Sequence, residues 1–128
     1  SKGVFIMNIY KCNICGRIVD EIKAGGPLTC CGQDMTLLVP GTSDGAAEKH
    51  VPVAEVTDGK VVVKVGEVEH PMLEEHFIEW IAIETTKGVQ RKCLKAGEAP
   101  LAEFALVEGE DYLATYAYCN LHGLWKAE

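Results

Sequence analysis

Val51-Pro52-Val53-Ala54-Glu55-Val56-Thr57-Asp58-Gly59-Lys60-Val61-Val62-Val63-Lys64-Val65 decides the fold. Two segments rich in β-branched residues, 51–56 and 61–65, flank Asp58-Gly59. That dipeptide is a hairpin turn signal. Valines at 61, 62 and 63 favour a pleated strand over a helix, because branching at Cβ restricts χ1 against the preceding helical turn. The stretch predicts a β-hairpin.

Downstream, similar segments recur at 76–85, at 89–94 after Lys87-Gly88, at 101–107, and at 112–118 after Glu108-Gly109-Glu110-Asp111. No long segment with a 3.6-residue period and no internal repeat interrupts them. Short strands at this spacing predict an all-β antiparallel sandwich rather than an α/β fold. Upstream, Val39-Pro40-Gly41-Thr42-Ser43-Asp44-Gly45 is rich in turn formers, and residues 43–48 allow one helical turn. The expected organisation is a small module at 1–38, a linker at 39–49 and a main domain at 50–128. A module of that size needs a metal or disulfides to fold, and four cysteines meet the need.

The 128-residue chain is 48% hydrophobic and 24% charged, which suits a folded domain plus a small module. Twelve basic against nineteen acidic residues give a formal charge of −7, the wrong sign for gripping nucleic-acid phosphates. No apolar run reaches the roughly 18–20 residues needed to span a bilayer. The run at 4–9 is too short for a signal peptide's apolar core and lacks a cleavage site. These features predict a cytoplasmic protein with neither nucleic acid nor membrane as partner, a setting in which clustered cysteines bind metal more often than they form disulfides.

Cys12-Asn13-Ile14-Cys15-Gly16 is a CxxC turn that can present two sulfurs to one ion, and Cys30-Cys31-Gly32 supplies two more. Four thiolates suit tetrahedral zinc or iron, and spacing alone does not separate the two. Adjacent cysteines depart from the second CxxC turn of an ordinary zinc ribbon, because neighbouring side chains diverge, so a distorted tetrahedron is expected.

The four histidines fall in Glu48-Lys49-His50-Val51-Pro52, in Glu69-His70-Pro71-Met72 continuing to Glu75-His76-Phe77, and in Cys119-Asn120-Leu121-His122-Gly123. Cys119 and His122 have the CxxH spacing of a local ligand pair, and a Pro-containing loop separates His70 from His76. Four imidazoles and one thiolate make five donors. Structural zinc is almost always four-coordinate, so this set points to a metal such as iron with a sixth position open.

With these motifs in this order, the sequence resembles the desulfoferrodoxin family, the two-iron superoxide reductases, along essentially its whole length. The resemblance implies a desulforedoxin-like Fe(Cys)4 centre on Cys12, Cys15, Cys30 and Cys31, and a second iron with His50, His70, His76 and His122 equatorial and Cys119 axial. It implies an immunoglobulin-like catalytic domain, a homodimer, and a soluble electron donor such as rubredoxin. The implied reaction is one-electron reduction of superoxide to hydrogen peroxide without oxygen evolution, with Lys49 attracting the anion and Glu48 able to occupy the sixth position of oxidised iron. Competing readings are a non-catalytic iron electron-transfer protein and a zinc-stabilised binding domain. Cys93 reads as a free thiol, Glu74 and Glu75 as solvated acids, Trp80 and Trp125 as core or pocket wall, and Met72 as packing.

Overall fold

The computed structural model describes residues 7–128. The first six residues of the expected module, with half of the apolar run at 4–9, lie outside the described residues. The described chain divides into two compact units, residues 7–39 and 40–128.

The smaller unit is built from very short strands: β1 (Ile9–Lys11), β2 (Ile18–Asp20), β3 (Thr29–Cys30), β4 (Gln33–Asp34) and β5 (Thr36–Leu37). The antiparallel order β2-β1-β5 makes one sheet, and β3-β4 is a separate hairpin. At the hairpin tip Cys31 has φ 53° and Gly32 has φ 75°. Both central positions are therefore left-handed, the geometry that matches the twist of tightly paired strands. This turn resolves the difficulty of adjacent cysteines, because Cys30 ends a strand while Cys31 sits on the turn itself.

The larger unit contains α1 (Ala47–His50), β6 (Pro52–Thr57), β7 (Lys60–Val65), β8 (Ile78–Thr85), β9 (Gly88–Cys93), β10 (Leu101–Ala105), β11 (Tyr112–Cys119) and β12 (Gly123–Ala127). Its two antiparallel sheets have the orders β10-β7-β6 and β12-β11-β8-β9. The expected hairpin forms with Val56 opposite Val61 and Thr57 opposite Lys60, and Gly59 takes φ 77° in the turn. Along β7 the side chains of Val61, Val63 and Val65 are fully buried while Lys60 and Lys64 are exposed. The buried valines meet Ile78, Ile81 and Ile83 of β8, Phe104 of β10, and Ala117 and Cys119 of β11 in one apolar core between the sheets. Alternation along β7 thus selects the sandwich: one face of the strand has nowhere to go except against the second sheet.

Two features differ from the sequence expectation. Of residues 39–49, read as a linker, 40–49 are tied into the larger unit: Gly41 N–H donates to Leu124 O (2.8 Å), and Val68 N–H donates to Glu48 O (2.9 Å). The helical turn falls at 47–50 rather than 43–48, so that His50 ends it. The final strand, β12, pairs with β11 from Thr115↔Ala127 to Cys119↔Gly123. Among the described residues, no helix is long and apolar enough to cross a membrane.

Candidate metal centres

In the smaller unit the four cysteine sulfurs lie within 4.8 Å of one another. Cys15 Sγ is 3.6 Å from Cys30 Sγ, and Cys30 Sγ is 3.9 Å from Cys31 Sγ. The edge of a tetrahedron with bonds of about 2.3 Å is about 3.8 Å, so these spacings fit four thiolates on one ion. Gly16, at φ 81°, closes the first turn with its N–H on Cys12 O (2.9 Å). The backbone N–H groups of Cys15 and Ile14 aim at Cys12 Sγ and lower its pKa to about 6, whereas the neighbouring thiols of Cys15 and Cys12 push Cys30 up to about 12. One sulfur is ready to carry negative charge, and a second cannot follow without a cation between them.

The larger unit assembles His50, His70, His76, Cys119 and His122, whose donor atoms also lie within 4.8 Å of one another. Consecutive rings in the order 50, 70, 76, 122 have centroids 4.6, 4.7, 5.0 and 4.7 Å apart around the circuit, with interplanar angles of 78°, 81°, 72° and 83°. His50 and His76 lie across from each other, 6.3 Å apart and inclined by only 28°. The rings form a four-sided pinwheel.

Tautomers follow from the hydrogen bonds. His50 Nδ1–H donates to Ala46 O (2.8 Å) and His70 Nδ1–H donates to Pro71 O (2.7 Å), which leaves each Nε2 with a bare lone pair. Those two Nε2 atoms face each other at 3.1 Å, and His50 Nε2 is 3.0 Å from His122 Nδ1. His76 Nε2 is buried with no hydrogen-bond partner. Converging lone pairs and an orphaned buried nitrogen are costly unless a cation occupies the middle. A square with sides of 3.0–3.1 Å places its corners about 2.1–2.2 Å from the centre, the length of a metal–imidazole bond. Burial lowers the pKa of His50 and His76, and takes His70 to about 4, so these rings are neutral ligands near pH 7.

Cys119 is fully buried, and burial raises its thiol pKa against the pull of the His122 and Leu121 N–H groups. It sits where the pairing of β11 with β8 slips from Tyr118↔Trp80 to Cys119↔Ile78, a bulge that re-aims the side chain. Lys49, preceding His50, lines a surface cavity of about 570 Å³ together with His70, Pro71 and Met72, and its charge disfavours protonation of both His50 and His76. Glu48 lines a different cavity, with Glu67 and Tyr112, and its carboxylate is not in the five-donor cluster. Cys93 is a free, exposed thiol, and Met72 packs against the core.

Sequence reasoning missed two side chains. Asn120 Oδ1 accepts from Phe77 N–H, and Asn120 Nδ2 donates to Glu75 O, both at 3.0 Å, so the residue tethers the Cys119–His122 turn to the segment carrying His76. The signal available was an amide side chain between two ligands of a tight turn. Trp125, read only as core or wall, stacks on His50 and bonds to the backbone of His122.

Gly66 holds the turn that carries Glu48, Lys49 and His50. A Cβ there would lie 2.8 Å from Glu48 O, 2.9 Å from Val51 O and 3.1 Å from Lys49 C. These are backbone atoms that cannot swing aside, so Gly66→Ala should displace the turn. We expect that variant to lose metal at the histidine centre at least tenfold faster than the parent, measured by chelator competition, with release from the cysteine centre unchanged. Equal release from both proteins would show that the turn accommodates the methyl group.

A square of imidazoles closed by one buried thiolate, on a β-sandwich preceded by a four-thiolate module, defines a two-site metalloprotein of the non-haem redox class. The desulfoferrodoxin family model matches residues 42–128, and the model of the desulfoferrodoxin N-terminal domain matches residues 6–38. A desulfoferrodoxin of Nitratidesulfovibrio vulgaris is 53% identical over 121 residues, covering 94% of each chain. A desulfoferrodoxin homologue of Archaeoglobus fulgidus is 50% identical over 123 residues, covering 95% of this chain and 97% of its own. Among solved structures, the superoxide reductase of Treponema pallidum superposes with a TM-score of 0.82 at 37% identity, covering 97% of this chain and 100% of that one. The chain belongs to the desulfoferrodoxin family.

Proposed function

We propose that the chain is a superoxide reductase that converts superoxide to hydrogen peroxide at the four-histidine, one-cysteine centre of the larger unit, with iron as the metal at both centres. The observation that carries this reading is the square of neutral imidazoles backed by a single buried thiolate, with a lysine beside it. Held by the four imidazoles and Cys119, iron would supply one electron and a Lewis acid to a small anion.

The residues do the rest. His50, His70, His76 and His122 hold the metal without adding charge, so one thiolate on a divalent ion leaves a net positive centre that attracts an anion. The chain as a whole, at −7, repels one. Lys49 is the local cation that offsets this repulsion in the cavity it shares with His70. Glu48, on the same turn, lines another cavity and is not one of the five clustered donors. The reading carries with it a one-electron donor, a homodimer and a cytoplasmic setting.

The direct test is stoichiometric: protein reduced at the histidine centre alone should consume one superoxide per iron of that centre, without evolving oxygen. Oxygen release would indicate dismutation, and no consumption would leave an electron carrier. Within this reading, Lys49→Ala should slow the bimolecular reaction about tenfold to a hundredfold at low ionic strength and flatten its salt dependence. An unchanged rate at low salt would remove Lys49 from the mechanism.

A further inference from the structure

Trp125 lies on β12, outside every ligand motif, yet it touches two of the five donors. Its indole stacks on the His50 ring with centroids 5.1 Å apart and planes inclined by 30°. Its Nε1–H donates to His122 O at 3.0 Å. The side chain is 6% exposed, and a Cβ on Gly45 would lie 3.2 Å from Trp125 Cζ2 and 3.2 Å from His122 Cβ, so the 40–46 loop closes over both.

His50 and His122 form one edge of the donor square, with nitrogens 3.0 Å apart. His50 comes from α1 and His122 from the turn between β11 and β12, elements 72 residues apart in the chain. His50 is already oriented at its far nitrogen by Ala46 O. His122 presents Nδ1 to the square, and the backbone carbonyl just behind that ring is held by the tryptophan. One side chain thus contacts the ring of one donor and the backbone of the other.

We propose that Trp125 is a positioning residue for the histidine centre: by stacking on His50 while bonding the backbone of His122, it fixes the spacing and relative tilt of two adjacent imidazole donors. The residue is not one of the five donors, and its contacts are to the His50 ring and the His122 backbone. Its effect runs through ligand geometry, so it should alter metal retention, the thiolate-to-metal absorption and the reduction potential before it alters the fold. The inference rests on the reading of the five-donor cluster as a metal centre.

Two variants separate its two contacts. Trp125→Phe keeps a ring against His50 and removes the N–H donor, whereas Trp125→Leu keeps apolar volume and removes both. In the full-length, iron-loaded protein, chelator-driven iron release from the histidine centre should accelerate in the order parent, Phe, Leu, reaching at least tenfold for Leu. The Leu variant should also shift the thiolate charge-transfer band and the midpoint potential of that centre. The cysteine centre in the same molecule is the internal control and should release iron at the parental rate. The inference is overturned if both variants release iron within twofold of the parent with an unmoved band, or if release from the cysteine centre accelerates equally, which would indicate general loosening. A parent protein that binds no iron at the histidine site would instead overturn the metal-centre reading, and this inference with it.

Discussion

Cys119→Ser should leave a folded protein that has lost both its thiolate-to-iron absorption at the histidine centre and nearly all superoxide reduction. The sulfur is fully buried in the apolar core, paired in register with Gly123 and Ile78, and a hydroxyl occupies less space than a thiol. Packing therefore survives at a cost of about 1–2 kcal/mol. The charge does not survive. Burial already raises the Cys119 pKa, and only a cation at the centre of the imidazole square brings it down to the thiolate. A serine hydroxyl, far less acidic, stays protonated there and supplies a neutral, weakly donating oxygen. The donor set loses its one anion and the electron density that a thiolate would give to the bound metal. Loss of an outer partner typically costs 10- to 100-fold, so loss of the thiolate should exceed a hundredfold in the rate of superoxide consumption. Stopped-flow kinetics with pulse-generated superoxide, read beside the visible spectrum, would decide. A variant that keeps its rate would show that the four imidazoles suffice.

Much of this centre was legible in the sequence because its chemistry lies in residue types. A CxxH pair and two histidines around a Pro-containing loop announce donors whatever the fold does with them. The hairpin at 52–65 was legible for a different reason: Asp58-Gly59 and alternating buried valines are local signals that the tertiary structure reinforces. What could not be read were the relations between distant segments. The acceptors that set the tautomers of His50 and His70 are backbone oxygens, of Ala46 and Pro71, which no side chain advertises. The 39–49 stretch has the composition of a linker, yet a Cβ on Gly45 would lie only 3.2 Å from His122 Cβ and Trp125 Cζ2, a tight approach that the sequence does not announce. Strand β12 is five residues long and begins immediately after the ligand turn, too short for a period of two to stand out. In the smaller unit, strands of two and three residues have no periodicity at all, and the cysteines are what hold them in place.

That dependence makes the cysteine centre the site of the second large effect. Cys15→Ser should lower iron from two per chain toward one and leave the smaller unit unfolded or open to proteolysis, while single-turnover superoxide reduction continues at the parental rate. Cys15 is exposed, donates its backbone N–H to Cys12 Sγ at 3.4 Å, and sits 3.6 Å from Cys30 Sγ. Removing its sulfur breaks the tetrahedron at the edge that joins the first turn to the β3-β4 hairpin. Structural zinc contributes about 10–16 kcal/mol to zinc-finger peptides of similar size, and a four-thiolate metal here would likewise contribute far more than strands of two or three residues can replace. The histidine centre, in contrast, draws all five donors from residues 50–122 of the other unit, and nothing in its ligand set passes through residue 15. Iron content, the loss of the four-thiolate spectrum and limited proteolysis at 7–39 report the first part of the expectation. Rapid mixing of the pre-reduced variant with superoxide reports the second. If a variant with an intact histidine-centre spectrum fails to turn over even once, the cysteine centre is an obligatory part of the reaction rather than a source of electrons between turnovers.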